Sequence, residues 1–410
     1  MSDVAKAVTT CGEAAAAGVP SLAAAPDEVI NDALRRMAAR LAGCAEPVLA
    51  ANAADVAAGE EAGLGRGLLD RLRLDSTRIT EMSRQIGLLA QAPFPPAEAG
   101  VRELPGGLRL AERRVPVGVV GANYEARPNV TVDVASQLLK SRNAGVLRTG
   151  GAALRSAEAL FDHVIVPAVA GAGLAEGALQ LVRSADRDAA LELVSRPGLI
   201  PLVILRGSGD TTRTLAAEAA RHGVRTLAHA DGGGVLYLDA AADPALAADL
   251  ITASLDRLGV CNRLNLLLVH EGSWDALLPG ALAAVQAAGV TPSLPPHPHP
   301  LGHEWALDTG HEATVTVAPA AGPAHAAQVA NAETSGLAAA IVTADPAAAR
   351  EFLAAYRGTG AFWNATTRLL DGFKLRGVPE TGINVDHVPG PRGPVTFQDL
   401  CLRQYVVVPA

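Results

Sequence analysis

The sequence predicts an α/β protein built on parallel strands, with a smaller antiparallel β element added to them. From residue 117 onward, short apolar runs alternate with helical stretches, the pattern of parallel strands joined by right-handed crossovers. Apolar residues make up 49% of the chain, mostly Ala, Leu and Val, with aromatics at 3%, and small side chains suit close helix–sheet packing. At 410 residues the chain is long enough for two or three domains with substantial cores.

The elements follow in order. Residues 26–92 read as helical, because Val29, Ile30, Ala33, Leu34, Met37 and Leu41 recur at three and four spacing. Asp27 is the expected N-cap, and Pro93-Phe-Pro-Pro-Ala-Glu98 ends the helical part. Residues 101–115 mix apolar and polar side chains on both sides of Gly106-Gly107, a hairpin signal. A two-stranded hairpin is marginal alone, so it is expected to pack on something, a second subunit included. Strands are expected at 117–122, 145–147, 179–182, 202–205 and 235–238, with helices at 130–140, 152–169, 187–194 and 211–222. Farther on, strands at 264–269, 314–317 and 338–342 alternate with helices at 276–288, 324–331 and 346–356. Residues 362–367 form a polar turn off a strand, and the β-prone ending 402–408 is expected to complete a sheet with the hairpin.

Composition excludes several function classes. A formal charge of −8, with no basic run, argues against nucleic acid as a partner. Ala-rich segments are repeatedly cut by charges or Pro, so no membrane span is expected, and the start Met1-Ser-Asp-Val-Ala-Lys6 lacks signal-peptide character. Cys11, Cys44, Cys261 and Cys401 follow no metal or disulfide spacing, which fits a reducing cytoplasm. The loop 292–300 carries His297 and His299, with His303 and His311 beyond, but without a convincing set of carboxylate or thiolate partners no metal is expected.

Open parallel sheets bind ligands beyond the carboxyl ends of their strands. The informative segments there are residues 123–129, Arg148-Thr-Gly-Gly151, Arg206-Gly-Ser-Gly-Asp210 and His229-Ala-Asp-Gly-Gly-Gly234. Two of them pair an Arg with Gly at a helix start, which suits a phosphate-rich cofactor, although the G-x-G-x-x-G fingerprint is missing. Cys261, on a Gly-Val turn before an apolar run, reads from its surroundings either as a core thiol or as a nucleophile.

Longer strings decide between these readings by resemblance. They are Leu49-Ala-Ala-Asn-Ala-Ala-Asp55, Gly63-Leu-Gly-Arg-Gly-Leu-Leu-Asp-Arg-Leu72, Val115-Pro-Val-Gly-Val-Val-Gly121 and Tyr124-Glu-Ala-Arg-Pro-Asn-Val-Thr-Val-Asp133. Leu139-Lys-Ser-Arg-Asn143, Leu147-Arg-Thr-Gly-Gly151, Val260-Cys-Asn262, Ala340-Ile-Val-Thr-Ala-Asp345 and Asn364-Ala-Thr-Thr-Arg368 follow. Together they resemble the γ-glutamyl phosphate reductases, a branch of the aldehyde dehydrogenase superfamily, over nearly the whole chain.

The resemblance implies an NADP(H)-binding domain over 1–99 and 115–233, a catalytic domain over 234–385, and an oligomerisation element from 100–114 and 386–410. It implies a cytoplasmic homodimer or larger homo-oligomer that reduces an acyl phosphate, γ-glutamyl phosphate, in the second step toward proline. Cys261 falls on the nucleophile, with Asn262 beside it and Asn129 as an oxyanion donor. Arg148, Thr149, Gly150, Arg206, Gly207 and Ser208 fall in cofactor turns, and Asp308 replaces a Glu near the cofactor ribose. Tyr124, Glu125, Arg127 and Asn364 are expected at the substrate. His229 stands about where hydrolytic relatives carry a water-activating Glu, and its role as acid–base or as orienting group is open. A free thiol is only a few per cent thiolate at neutral pH, so activation is expected from a helix N-terminus or the cofactor.

Some positions depart from the family pattern. Arg263 and Asn265 stand where Ala and Glu are usual, Ser254-Leu-Asp-Arg-Leu-Gly259 replaces a stretch with Lys, Gln and Arg-Pro, and Arg376-Gly-Val-Pro-Glu-Thr-Gly-Ile383 replaces a Gly-rich string. These departures raise a paralogue acting on a different acyl phosphate as the alternative, with a non-catalytic nucleotide-binding homologue behind it.

Overall fold

The structure, a computed structural model, describes residues 2–229, 232–385 and 392–410. Ala230 and Asp231 of the expected loop, and residues 386–391 at the start of the expected tail, lie outside the described residues.

Two sheets form the body, their strands parallel as the alternating pattern predicts. The first runs Leu179–Leu181, Ala144–Thr149, Val119–Tyr124, Leu202–Arg206, Arg225–His229 in spatial order. Its middle strand Val119–Tyr124 is buried at every position, as a strand covered by helices on both faces must be. The second has the order Thr291–Ser293, Thr314–Ala320, Leu264–His270, Gly234–Leu238, Ala338–Val342, Gly360–Trp363. The chain crosses from His229, at the end of a strand in the first sheet, to Gly234, at the start of one in the second. The carboxyl ends of one sheet therefore meet the amino ends of the other, and the site lies there.

The hairpin Glu98–Leu104 with Leu108–Pro116 is completed by the final strand Cys401–Pro409, which pairs antiparallel from Cys401 against Pro116 to Pro409 against Leu108. Before reaching it, the chain returns to the core of the first sheet, where Val378, Val395, Phe397 and Leu400 are buried.

The helical part separates into Asp27–Gly43, Ala45–Glu61, Arg66–Leu72 and Ser76–Gln91, and Ile30, Ala33, Leu34, Met37 and Leu41 are buried as their spacing requires. Pro26, not Asp27, occupies the cap position of the first of these. An additional helix, Asp3–Ala24, precedes them. Its Gly18 packs so closely on Ala178 that a β-carbon there would lie 2.6 Å from the Ala178 Cα. The glycines that weaken its helical signal are thus partly packing residues. Among the described residues no helix is long and apolar enough to cross a membrane.

Candidate active site

The helix Pro244–Ser254 ends in a loop that carries Cys261 and leads into the buried strand Leu264–His270. Cys261 is half-buried, and two cavities meet at it. Its loop is held from three sides. Gly233 N–H donates to the Cys261 carbonyl and Gly234 N–H to that of Arg263, both at 2.6 Å. A β-carbon on Gly232 would sit 2.7 Å from the Cys261 Cα, so this run of glycines serves close approach to the Cys261 turn. On the second side, the helix Arg66–Leu72 sends Arg71 Nε to the Gly259 carbonyl. On the third, Asn262 Nδ2 donates to the Leu370 carbonyl at 2.8 Å, its Oδ1 accepts from Arg368, and its backbone carbonyl accepts from Thr367. The Asn262 amide is therefore a clamp on the loop, not a group turned toward a reacting atom.

The larger cavity, about 400 Å³, is lined by Arg71, Arg127, Arg206 and Arg257 beside Cys261 and Asn129. Asp70 accepts from Arg78 at 2.7 Å and from Arg257 at 2.9 Å, which fixes Arg257 over the Cys261 loop. Burial, then crowding by Arg71 and Arg206, holds the Arg127 guanidinium below its usual range. So many cations around one space make a strong anion site. The same cavity holds Asp133 and Glu380; burial pushes the Asp133 carboxyl up to about 7, and that of Glu380 upward too. Asn129, at the start of the helix Pro128–Lys140, gives one Nδ2 hydrogen to Asp133 at 2.9 Å.

The smaller cavity, about 180 Å³, is lined by Glu125, Arg127, Arg206, Gly207, Ser208, His229, Cys261, Glu304 and Leu307, among others. Ser208 caps the helix Gly209–His222, and its N–H points to the Glu125 carboxylate at 3.4 Å. His229 Nδ1 lies 2.8 Å from the Ile383 carbonyl, and burial followed by repulsion from Arg206 and Arg127 depresses its pKa to about 3. It is a neutral imidazole at physiological pH. At the carboxyl ends of the strands, Arg148 Nε and Thr149 Oγ1 are buried with no hydrogen-bond partner among the described residues. Orphaned polar atoms on this edge, next to a fourteen-residue helix's N-terminus, fit a phosphate-bearing cofactor.

Several expected site residues lie elsewhere. Tyr124 is fully buried in the core, its hydroxyl donating to Thr131 at 2.8 Å, because it ends a strand covered on both faces. Asn364, in a positive-φ turn, exchanges two 3.0 Å hydrogen bonds with the Thr343 backbone and lines neither cavity. Asp308 accepts from His303 at 2.9 Å and His311 at 3.3 Å at the surface, and Glu304 is the carboxylate that this loop turns toward Cys261. A short 3₁₀ turn over Trp305–Leu307 rotates Asp308 away. Arg148 is a brace, donating to Asn123 Oδ1 and to the Asp186 carbonyl, while the Gly150 N–H is taken by the Tyr124 carbonyl.

Arg263 and Asn265 also point away from the larger cavity. Arg263 reaches the Glu312 and Thr314 carbonyls, and Asn265 bonds the His303 carbonyl and the Trp305 N–H, so both support the loop that bears Glu304. Sequence reading missed Arg71, Arg257, Glu304, Asp133 and Glu380 as cavity residues. All but Glu304 lie inside the strings that carry the resemblance or the departures from it.

Residues 5–299 match the aldehyde dehydrogenase family. A γ-glutamyl phosphate reductase of Clavibacter michiganensis is 39% identical over 96% of this chain and 92% of its own length. That of Moorella thermoacetica is 36% identical over 99% and 98%. The crystal structure of γ-glutamyl phosphate reductase from Thermotoga maritima superposes with a TM-score of 0.86 at 26% identity, covering 98% of each chain. An acetylating aldehyde dehydrogenase of Geobacillus thermoglucosidasius, at 15% identity and a TM-score of 0.76, shares the fold. The chain belongs to the aldehyde dehydrogenase family, in its γ-glutamyl phosphate reductase branch.

Proposed function

We propose that this enzyme reduces γ-glutamyl phosphate to glutamate-5-semialdehyde with NADPH, through a thioester on Cys261, in proline biosynthesis. The observation that carries the reading is the position of Cys261 at the junction of an arginine-lined cavity and a second cavity at a helix N-terminus. A phosphorylated acyl group suits the first, and a dinucleotide the second.

The Cys261 thiolate attacks the acyl carbon, and the carbonyl oxygen gains charge. Asn129 Nδ2 has a second hydrogen to offer it, and the Cys261 backbone N–H has no acceptor among the described residues. The C–O bond to phosphate breaks, the electron pair leaves with the phosphate oxygen, and Arg71, Arg127 and Arg257 take up the leaving phosphate's charge. A reduced nicotinamide held at the second cavity would supply a hydride to the Cys261 thioester, which would become a thiohemiacetal. Gly207, Ser208 and the N–H groups of the helix Gly209–His222 would hold its phosphates, with Glu125 and Glu304 lining the same cavity. Cys261 then leaves as thiolate, releasing the aldehyde.

His229, with a pKa near 3 and one nitrogen engaged by Ile383, is too weak a base to activate water at neutral pH. The thioester is thereby protected from hydrolysis, as a phosphate-dependent reaction requires. Of the departures behind the alternative of a different acyl phosphate, Arg263 and Asn265 lie off the substrate cavity, whereas Arg257 and Glu380, in the other two, line it. The small antiparallel sheet exposes Val101, Leu402, Tyr405 and Val407, which supports assembly of two or more copies through it.

The test runs the reaction backward: glutamate-5-semialdehyde and NADP⁺, with and without phosphate. NADPH should form only with phosphate and fall at least about 10³-fold in Cys261→Ala. Equal activity without phosphate, or in the variant, would refute the assignment, and NAD⁺ outperforming NADP⁺ would overturn the cofactor choice alone.

A further inference from the structure

The larger cavity contains two kinds of group that the thioester chemistry does not use. One is a pair of carboxylates. Asp133 accepts a single hydrogen bond, from Asn129 to Oδ2, and Glu380 accepts one, from the Gly372 N–H to Oε2. Neither forms an ion pair among the described residues, although protein encloses both and each is reached only in part, along the cavity wall. Asp371 is the further acid near Glu380, and its carboxylate is occupied in capping the helix Gly372–Arg376 through the Lys374 N–H at 3.0 Å.

The other is Arg206. It is 8% exposed, its side chain makes no hydrogen bond among the described residues, and its buried Nε has no partner there. Its stem runs along Gly382, where a β-carbon would approach it to 3.4 Å, and its charge is felt by both Asp133 and Glu380. A buried guanidinium beside two largely enclosed carboxylates, all leaving bonding capacity unspent, is costly to a fold unless a ligand completes it. Each of the three also has a defined complement. Arginine takes a carboxylate through two parallel N–H groups, and an ammonium offers three donors to carboxylate oxygens.

We propose that Arg206, Asp133 and Glu380 form a subsite for an α-amino acid head group, Arg206 holding its carboxylate and the two acids its ammonium. The cavity thus selects acyl phosphates of amino acids over their unaminated counterparts. This rests on the acyl phosphate reading above and goes beyond it by assigning the residues that set specificity. The remaining arginines, Arg71, Arg127 and Arg257, stay with the phosphate beside Cys261.

The experiment compares glutamate-5-semialdehyde with the unaminated five-carbon semialdehyde, each with NADP⁺ and phosphate, in wild type, Glu380→Gln, Asp133→Asn and Arg206→Gln. Wild type should favour the aminated aldehyde, and either acid variant should cut that kcat/KM ratio by about tenfold or more, through KM of the aminated substrate. Arg206→Gln should weaken both substrates together, since both carry the carboxylate. An unchanged ratio in both acid variants, or a wild type indifferent to the amine, overturns the proposal. If a variant does not fold, inhibition of the wild type decides the matter: glutamate should compete about tenfold more tightly than glutarate, and equal inhibition refutes the subsite. Failure of the acyl phosphate reading would show separately, as wild type inactive with both aldehydes in the presence of phosphate.

Discussion

Asp133 shows what a carboxyl enclosed in the larger cavity costs the fold. Burial raises its carboxyl from 3.8 to about 7, with Arg206 opposing and Glu380 adding to the rise. Between those values the unfolded chain has released the proton while the folded chain keeps it. Stability therefore falls as pH rises across that window and is level above it. Asp133→Asn removes the titration. Its melting temperature should match the wild type's near pH 4 and exceed it near pH 8, by thermal melts at both. A variant less stable at both pH values would mean that the carboxylate's bond from Asn129 outweighs its desolvation. His229 has the opposite sign: its depressed pKa contributes stability above the unfolded value near 6.5, lost as pH falls toward 3.

Among the elements, the final strand Cys401–Pro409 carries the plainest consequence. It pairs along its whole length with Leu108–Pro116 yet leaves Tyr405 62% and Leu402 53% exposed. Large apolar side chains in that position call for a partner surface. Tyr405→Asp should shift the protein to a smaller species in sedimentation velocity while leaving its circular dichroism intact; an unchanged sedimentation coefficient would remove this sheet from assembly.

The strand and its hairpin were legible because alternation and Gly106-Gly107 are local signals. The strands Arg225–His229 and Thr291–Ser293 and the helix Pro244–Ser254 were not. The first two are short and bear polar residues, and only pairing with their neighbours makes them strands. The helix Asp3–Ala24 was hidden by Gly12, Gly18 and Pro20, whose cost in helix propensity is offset by packing that no local pattern displays.

At the scale of the molecule, the order of motifs along the chain was enough for the fold and for the position of Cys261. What it left out was direction. Tyr124, Glu125 and Arg127 stand within four residues, yet the first is core, the second faces the cofactor turn, and the third lines both cavities. Arg71 and Arg257 lie 186 residues apart and meet only because the helix Arg66–Leu72 rests on the nucleophile loop, with Asp70 bonded to Arg257. Cavities made by such contacts are visible only in three dimensions.

The central claim, a thioester on Cys261 that phosphate and not water discharges, is tested most directly by trapping it. Enzyme is incubated with NADP⁺ and the unaminated semialdehyde, which cannot cyclise, in phosphate-free buffer, and intact mass is measured before and after phosphate is added. The acyl mass should accumulate on the peptide containing Cys261 and disappear with phosphate. Steady NADPH production without phosphate and without an adduct, or an adduct that phosphate does not release, would contradict the account.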